Sequence, residues 1–284
     1  MSTSIVIPAK NEEFSLKSLI PELKAELPQC EIIVVNDGST DLSESICKQL
    51  GVTVVKHEYS IGNGAAIKSG ARASKSEHIL FMDADGQHTV QDAKNLIQRM
   101  NNSPKDMIIG QRNRLGQASL FRLIANSFYN WFSSKMTGYK ISDLTSGLRI
   151  VNRKKFLKIL YLLPNGFSYP TTSTMAFLRS GYSVDFLPIN VQKRIGKSHI
   201  NIIKDGFRFF LIIIKIGTLY SPLKIFLPLS LSFFTLGISY YVYTLIEFGR
   251  FTNMSALLIT TSIITFLIGL VSEQITNLMY KDSE

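Results

Sequence analysis

Residues 81–88 of this 284-residue chain have the sequence FMDADGQH, which reads as the end of a buried strand followed by a polar loop. The apolar run from His78 to Met82 is typical of a buried strand, and Gly86 permits a sharp turn behind it. Because side chains alternate along an extended chain, Asp83 and Asp85 should point to the same side. Two such carboxylates are hard oxygen ligands that suit Mg²⁺ or Mn²⁺, although the same pattern also occurs in solvated turns.

The residues around this stretch alternate between strand-like and helix-like patterns, which predicts a doubly wound, mostly parallel α/β sheet. Expected strands span residues 4–8, 31–36, 52–56, 78–82 and 106–110, and expected helices span 12–27, 43–50, 62–73 and 90–100. Ligands of such sheets bind beyond the carboxyl ends of the strands, where the strand order reverses. Asn11, Asp37 and the pair Asp83 and Asp85 all follow such ends, so we expect them to form one site.

The composition indicates a cytosolic α/β domain with a membrane-associated appendage. The formal net charge is +10 and 45% of the residues are hydrophobic, and the apolar excess is concentrated after Phe207. Cys30 and Cys47 have no partner motif, so we expect reduced thiols and no disulfide or zinc site. The chain enters its first strand directly after residue 3, without the pattern of a signal peptide. The basic residues cluster next to apolar segments and match no nucleic-acid-binding motif, which argues against nucleic acid as a partner.

The last third of the chain contains two long uncharged runs, at residues 226–246 and 254–271. Runs of about 20 apolar residues are long enough to span a membrane, so a short connection between them predicts a transmembrane hairpin. Residues 200–220 carry a stripe of three basic residues on an apolar helix, which predicts a helix in the membrane interface; a core helix with snorkelling cations is the alternative. Seven basic residues between Lys193 and Lys224 precede the hairpin, whereas its connection holds only Arg250. The positive-inside rule therefore places the α/β domain and both termini in the cytoplasm.

Four further features have more than one reading. Gly62-x-Gly64 lacks the third glycine of a dinucleotide fingerprint and follows the wrong strand, so we interpret it as a tightly packed helix entry. The basic and aromatic stretch 111–134 fits either a phosphate-binding surface or a solvated face over a core, and we assign Trp131 to the core. The basic loop 193–198 is suited to closing over a diphosphate. Asp143 fits an auxiliary base or a turn residue, and the turn is favoured.

Three motifs in order carry a family resemblance: IPAKNEE at 7–13, VVNDGSTD at 34–41 and FMDADGQH at 81–88. Together they resemble glycosyltransferase family two, which has the GT-A fold, and within it the polyprenyl-phosphate glycosyltransferases. The resemblance covers about residues 4–200. It implies a cytoplasmic GT-A catalytic domain at 1–199, an amphipathic interfacial helix at 200–221, and a transmembrane hairpin with a short tail at 222–284.

The resemblance also implies roles for individual residues. The nucleotide sugar would be bound by Pro8, Asn11, Glu12, Asp37 and Asp83, with Lys197 and Ser198 from a mobile loop. The metal ligands would be Asp83, Asp85 and Gln87. The acceptor phosphate would be held by Arg112, Arg122 and Asn126. Residues acting on the reacting groups themselves would be Asp85, Arg112, Arg122 and Arg194.

The implied reaction is the inverting transfer of one sugar from a GDP- or UDP-linked donor to a polyprenyl phosphate, such as undecaprenyl or dolichyl phosphate. It would require Mg²⁺ or Mn²⁺ and occur at the cytoplasmic leaflet. The hairpin anchor of such an enzyme is compatible with a homo-oligomer. The Gln-x-x-Arg-Trp signature of processive polysaccharide synthases is absent from the sequence. Transfer to another lipid such as diacylglycerol, and a non-catalytic scaffold that binds nucleotide sugars, are the alternatives.

Overall fold

A seven-stranded sheet organises the first of two units into which the chain divides near residue 212. The structure is a computed structural model that describes residues 2–112, 120–166, 168–190, 211, 214–215 and 217–281, without the side chains of residues 120–126. Its strands are β1 Thr3–Ala9, β2 Glu31–Asp37, β3 Thr53–His57, β4 His78–Phe81, β5 Met107–Arg112, β6 Arg149–Asn152 and β7 Val184–Ile189. Its helices are α1 Glu13–Glu26, α2 Ser43–Gln49, α3 Asn63–Ala73, α4 Val90–Asn102, α5 Leu120–Thr137, α6 Arg153–Lys158 and α7 Tyr169–Arg179.

The strand order is β3-β2-β1-β4-β6-β5-β7, and only β6 runs antiparallel to its neighbours. The predicted mostly parallel, doubly wound sheet is therefore confirmed, with β6 as the exception. The chain winds outward from β1 to β3 and then returns to place β4 on the other side of β1. The loops after β1 and β4 consequently diverge at their carboxyl ends, which is where such a sheet offers a ligand site.

The sheet is buried on both faces, as its continuous apolar strands require. Ile5 and Ile7 of β1 pack in a core with Leu16 and Ile20 of α1, and each of these residues is fully buried. Val6, on the other face of the same strand, is also fully buried. Because helices cover both faces of the sheet in the described part of the chain, a ligand of the sheet can approach it at the strand ends.

Helix α5 corrects one expectation, because Trp131 is not a core residue. The helix buries Tyr129, Ser133 and Met136, which lie on one face because they are spaced by four and three residues. Trp131 lies on the opposite face, is 61% exposed and packs against Phe128 with ring centroids 5.7 Å apart. An aromatic residue in a helix is buried only when it lies on the face of the helix that meets the core. Trp131 lies on the face that points away from it.

The second unit contains a hairpin of two helices, α8 Leu223–Phe248 and α9 Asn253–Tyr280. Both are long and apolar enough to cross a membrane, with mean hydropathies of 1.6 and 2.2. Their contact follows a seven-residue repeat of small buried residues: Ser230, Gly237 and Thr244 on α8, and Ser255, Ser262, Gly269 and Thr276 on α9. The Ser230 hydroxyl donates to the Ser262 carbonyl, and the Ser262 hydroxyl donates to the Ser230 carbonyl, each at a distance of 3.0 Å. The expected interfacial helix at 200–221 lies largely outside the described residues.

Candidate functional site

A cleft of about 450 Å³ lies at the carboxyl ends of β1, β2, β3 and β4. Its lining residues come from the carboxyl ends of β1 and β2, from the loops after β1, β3 and β4, and from the start of α3: Pro8, Ala9, Lys10, Glu12, Asp37, Ser60, Gly62, Asn63, Ala66, Asp83, Ala84 and Asp85. The sheet thus brings Asp37, Asp83 and Asp85 together, as the strand-end argument predicts. Pro8 and Glu12, which the family resemblance names, line the same cleft. Asn11 and Gln87 belong to the same loops but are not among the residues that line the cleft.

The loop after β4 presents two carboxylates to this cleft. Asp85 Oδ1 accepts a hydrogen bond from the backbone N–H of Gln87 at 3.1 Å, which fixes the turn after the strand. Burial raises the pKa of Asp83; His88 opposes this effect, while the negative charge of the nearby Asp85 adds to it. A bound cation would relieve the repulsion between the carboxylates and favour their ionised forms.

Gly147 forms a close-fitting wall against the Asp83 carboxylate. A Cβ atom at residue 147 would overlap the Asp83 carboxylate oxygen Oδ2 and lie 3.1 Å from its Cγ. Tyr169 holds this wall in place by donating from its hydroxyl to the Gly147 carbonyl at 3.1 Å. Asp83 is therefore positioned by backbone packing as well as by its own loop.

The donor set fits a hard divalent cation. Within the described part of the chain, His, Cys, Asp and Glu residues form no group of three that could enclose a metal ion. Mg²⁺ in proteins is usually held by one or two carboxylates together with phosphate oxygens of a substrate, rather than by a complete protein cage. Asp83 and Asp85 match that arrangement, and the Gln87 amide oxygen on the same loop is a further hard donor.

Asp37 shapes the cleft wall through hydrogen bonds to the loop that follows β3. Its two carboxylate oxygens accept from the Ser60 hydroxyl at 2.8 Å and the backbone N–H groups of Ile61 and Gly62, each at 2.9 Å, and they contact His57 Nδ1 at 2.7 Å. Burial raises the pKa of Asp37, but the hydrogen bonds from His57 and this loop outweigh it and hold the pKa below its usual value. Its oxygens are thus engaged in fixing the segment 60–62, which lines the cleft.

The same segment contains site residues that the sequence reasoning did not identify, namely Ser60 and Asn63. They follow the carboxyl end of β3, so the rule that located Asp37 and Asp83 was also the signal for them. Gly62 has a φ of +120°, and the helix entry packs tightly, with the Ala65 N–H donating to the Asn165 carbonyl at 2.8 Å. The interpretation of Gly62-x-Gly64 as a packed helix entry is confirmed.

Asn11 connects the loops after β1 and β2. Its φ is +55°, and its side-chain oxygen accepts from the Thr40 N–H at 2.9 Å. Its own N–H donates to the Ser39 hydroxyl at 3.0 Å. These bonds join two loops that border the cleft, so Asn11 contributes to its rim.

Arg112 ends β5 and is held by Asp143. Its Nε and Nη2 donate to the two carboxylate oxygens of Asp143 at 2.8 and 2.9 Å, and Nη2 also donates to the Thr145 hydroxyl at 2.6 Å. Burial lowers the pKa of Arg112, but the hydrogen bond and charge of Asp143 outweigh it, so that the pKa lies above its usual value. The Thr145 N–H donates to Asp143 Oδ1 at 3.2 Å, a bond typical of the turn that the sequence favours for Asp143. The pairing of Asp143 with Arg112 was not predicted.

The remaining predicted site residues cannot be placed by their side chains. Arg122 and Asn126 fall within α5, but their side chains are outside the described residues. Arg194, Lys197 and Ser198 lie in the segment 191–200, which is also outside them. Their roles stay predictions.

Comparisons with known proteins agree with this geometry. A profile described as glycosyl transferase family 2 matches residues 4–160, and one described as GtrB C-terminal hairpin matches residues 221–278. The UDP-N-acetylglucosamine–dolichyl-phosphate N-acetylglucosaminyltransferase of Methanococcus voltae is 26% identical over 75% of this chain and 96% of its own. The polyprenol monophosphomannose synthase of Mycolicibacterium smegmatis is 28% identical over 68% of this chain and 78% of its own.

A solved structure shows the same architecture. Glucosyl-3-phosphoglycerate synthase from Mycobacterium tuberculosis, in complex with Mn²⁺ and UDP-glucose, superposes with a TM-score of 0.61 and 17% identity. The match covers 76% of this chain and 78% of that one. At this identity the likeness concerns the fold alone, and it confirms the expected GT-A fold.

Proposed function

The chain belongs to glycosyl transferase family 2 and is a glycosyltransferase, and from that premise we propose that it transfers one sugar from a nucleotide-diphosphate sugar to a polyprenyl phosphate. The observation that carries the proposal is the cleft where Asp83 and Asp85 meet Pro8, Glu12 and Asp37 at one sheet edge. Two relatives named for dolichyl-phosphate and polyprenol acceptors support the choice of lipid.

The donor would occupy the cleft with its base and ribose toward the loops after β1 and β2. Glu12 is a hydrogen-bond acceptor suited to ribose hydroxyls, and Pro8 offers an apolar surface for a base. The loop that Asp37 anchors, residues 60–62, forms the facing wall. The diphosphate would then lie toward Asp83 and Asp85. A polyanion beside two carboxylates requires a cation between them, so this placement depends on the metal.

Asp83, Asp85 and Gln87 would hold Mg²⁺ or Mn²⁺, which would neutralise charge on the departing nucleotide diphosphate. The chain's own contribution is to fix these ligands: Gly147 packs against Asp83, and the Gln87 N–H holds Asp85. From the sequence, Arg194, Lys197 and Ser198 would also contact the diphosphate. Cationic donors there would stabilise the leaving group as its charge develops.

Arg112 would hold the acceptor phosphate, together with Arg122 and Asn126. A phosphate monoester carries between one and two negative charges near neutral pH, so its oxygen needs little help from a general base. That oxygen attacks the anomeric carbon while the bond from this carbon to the diphosphate oxygen breaks, and the nucleotide diphosphate leaves with the electron pair. A direct displacement of this kind inverts the anomeric centre. The chief task of the protein is to hold two polyanions in line.

The hairpin α8–α9 would anchor the enzyme where its lipid acceptor resides. We place the catalytic unit, residues 1–199, and both termini on the cytoplasmic side, because seven basic residues precede the hairpin and its connection holds one. Residues 200–221 would lie along the membrane interface, and residues 222–284 would form the anchor and its tail. Self-association through this anchor is compatible with the proposal.

A transfer assay tests the proposal. Purified protein in detergent is mixed with undecaprenyl phosphate, Mn²⁺ or Mg²⁺, and radiolabelled GDP- and UDP-sugars in turn, and label entering the organic phase is counted. We expect metal-dependent transfer from one donor. Asp85→Asn retains the oxygen that accepts from Gln87 but removes the charge, so transfer should fall about 100-fold or more.

Asp185→Asn is the matched control, because it makes the same change in a carboxylate paired with Arg99 on the surface. It should leave transfer unchanged. If no donor reacts although a nucleotide diphosphate binds, the polyprenyl-phosphate proposal is wrong, and diacylglycerol as acceptor or a non-catalytic scaffold would replace it.

A further inference from the structure

Asp143 is a buried carboxylate whose hydrogen-bonding capacity is already used. It is 4% exposed. Oδ1 accepts from Arg112 Nη2 at 2.9 Å and from the Thr145 N–H at 3.2 Å, while Oδ2 accepts from Arg112 Nε at 2.8 Å and from the Arg112 backbone N–H at 3.1 Å. The Thr145 hydroxyl also donates to Oδ1, over 3.5 Å. An ionised carboxylate has about four lone-pair sites, and these five contacts occupy all of them.

This arrangement makes Asp143 unsuited to act as a base. A carboxylate that accepts a two-pronged ion pair from an arginine has the lone pairs of both oxygens directed at that partner. It also has no lone pair directed at a third group. The Asp143 carboxylate is therefore committed to Arg112.

The same contacts restrict the orientation of Arg112. The guanidinium is planar, and Asp143 and Thr145 occupy its Nε and Nη2 donors, so the plane of the group is fixed. In the described part of the chain, Nη1 makes no hydrogen bond. The edge of Arg112 that carries Nη1 is thus available to an anionic ligand, in an orientation that Asp143 sets.

Asn130 of α5 holds the Asp143 loop from the other side. Its amide nitrogen donates to the Ser142 carbonyl at 2.7 Å, and its amide oxygen accepts from the Leu144 N–H at 3.0 Å. These two bonds flank Asp143 directly. The loop 142–145 consequently links the end of β5, which carries Arg112, to α5, the helix in which Arg122 and Asn126 lie.

We infer that Asp143 is a positioning residue for the acceptor phosphate, which acts by holding Arg112 and, with Asn130, by joining β5 to α5. The inference rests on the proposed function, because it assigns Arg112 to the acceptor. It predicts that loss of the Asp143 charge harms use of the acceptor and leaves donor binding intact. A base would show a different signature, since its removal would change how the rate depends on pH.

The experiment combines steady-state kinetics with a double-mutant cycle. Asp143→Asn should raise the acceptor KM about tenfold or more, as expected when one partner of a buried charged pair is changed. The dissociation constant of the nucleotide diphosphate, measured by calorimetry, should stay within about twofold of the parent value. The pH profile of kcat/KM should keep its shape. In an Arg112→Ala background, Asp143→Asn should change kcat/KM by less than about twofold, because its effect passes through Arg112.

Thr145→Val tests the same interaction without touching a charge, and it carries the test if Asp143→Asn does not fold. It removes one hydrogen bond to Arg112 Nη2 and should raise the acceptor KM about threefold. Asp185→Asn is the control, because it breaks another arginine–aspartate pair, that of Asp185 with Arg99. Asp185 lies on β7, four residues before Ile189, which pairs with Arg112 in the sheet. It should leave both constants unchanged.

Three outcomes would overturn the inference. The first is an Asp143→Asn enzyme with normal acceptor KM, and the second is additivity of Asp143→Asn with Arg112→Ala. The third is loss of one limb of the pH profile, which would make Asp143 a base. Absence of transfer by the unsubstituted chain would overturn the proposed function and this inference together. Transfer whose acceptor KM is unchanged by substitution of Asp143 and Thr145 would overturn this inference alone.

Discussion

The α/β unit and the hairpin α8–α9 satisfy their buried polar groups in different ways. In the α/β unit, Asp37, Asp143 and Arg149 are each at most 4% exposed, and each is surrounded by several donors or acceptors from distant parts of the chain. In the hairpin, the buried polar groups are mostly hydroxyls that bond to the backbone of the same or the facing helix, as Ser230 and Ser262 do. The first unit buries charge at particular points, and the second buries mainly neutral groups at a regular spacing.

The difference follows from what each unit must do. A cleft that binds polyanions needs fixed charges, and a fixed buried charge requires a network that replaces its water. A hairpin in a membrane gains little by bringing charge inside, and small residues allow its helices to approach closely. One carboxylate, Glu273, is the exception: it accepts from the Ser221 hydroxyl and the Leu223 N–H at the start of α8. Substitutions in the two units should therefore differ in size and in what they disturb.

Substitution of Arg149, which is fully buried in β6, should have the largest effect on the free energy of unfolding. It donates to two backbone carbonyls and to the hydroxyls of Ser173 and Thr174, and no carboxylate among the described residues pairs with it. Arg149→Met would remove these charged hydrogen bonds and leave the Ser146 carbonyl without the guanidinium donor, so it should lower the free energy of unfolding by about 3 kcal/mol. The midpoint of denaturant unfolding in detergent measures this. Arg99→Met, at an exposed ion pair, should cost less than about 1 kcal/mol, and equal costs would contradict the account of the α/β unit.

Gly147→Ala should have the next largest effect, and on activity rather than on stability. The added methyl group would overlap the Asp83 carboxylate and displace it from its wall. A displacement of about 1 Å at a catalytic group lowers kcat/KM roughly 100-fold. Gly166→Ala is the matched control, because a Cβ there meets nothing within 4 Å. A fully active Gly147→Ala enzyme would show that the position of Asp83 is not critical.

Asp37→Asn should weaken the α/β unit in a pH-dependent manner. The amide cannot accept all of the hydrogen bonds that the carboxylate accepts, so the free energy of unfolding should fall by about 2 kcal/mol at pH 7. Because the folded-state pKa of Asp37 lies below its usual value of 3.8, its contribution is complete above about pH 4 and is lost as the pH falls further. Unfolding curves of parent and variant should thus converge as the pH falls below about 4. A difference that stays constant as the pH falls below about 4 would contradict the assignment. Asp185→Asn, in the surface ion pair with Arg99, serves as the control.

The smallest effect is expected in the hairpin. Ser262→Ala removes one of the two reciprocal bonds to Ser230 and should cost about 0.6 kcal/mol, the average for such bonds between membrane helices. Ser232→Ala is the control, since that hydroxyl bonds within its own helix to the Pro228 carbonyl. Unfolding of the intact protein in mixed micelles compares them. A cost for Ser262→Ala as large as that for Arg149→Met would abolish the distinction between the two units.

The sequence predicts the parts of the site that depend on strand ends. Asp37, Asp83 and Asp85 were located correctly at one edge because carboxyl ends of parallel strands converge, whatever the details of packing. The two long helices were recognised for a similar reason, since length and apolarity alone define such segments. These features are local patterns that the fold then places together.

Features that depend on pairing across the fold were not predicted. Arg112 and Asp143 are 31 residues apart, and no periodicity links them. Because Arg149 carries a charge, its residue type predicts a position on the surface. The turn at Ser146 and the start of α7 nevertheless enclose it. Trp131 was assigned to the core by residue type, whereas the phase of α5 decides its exposure. Each of these outcomes is set by tertiary contacts that a single sequence does not display.

The most direct test of the central claim is the identity of both products from one turnover. Proteoliposomes that contain the unsubstituted protein, the reactive nucleotide sugar and undecaprenyl phosphate are quenched, and lipid and nucleotide are analysed by mass spectrometry. Glycosyl transfer to a lipid phosphate predicts one sugar added to each lipid and one nucleotide diphosphate released for each sugar. Release of nucleotide monophosphate with transfer of a sugar phosphate, or lipids carrying several sugars, would contradict it.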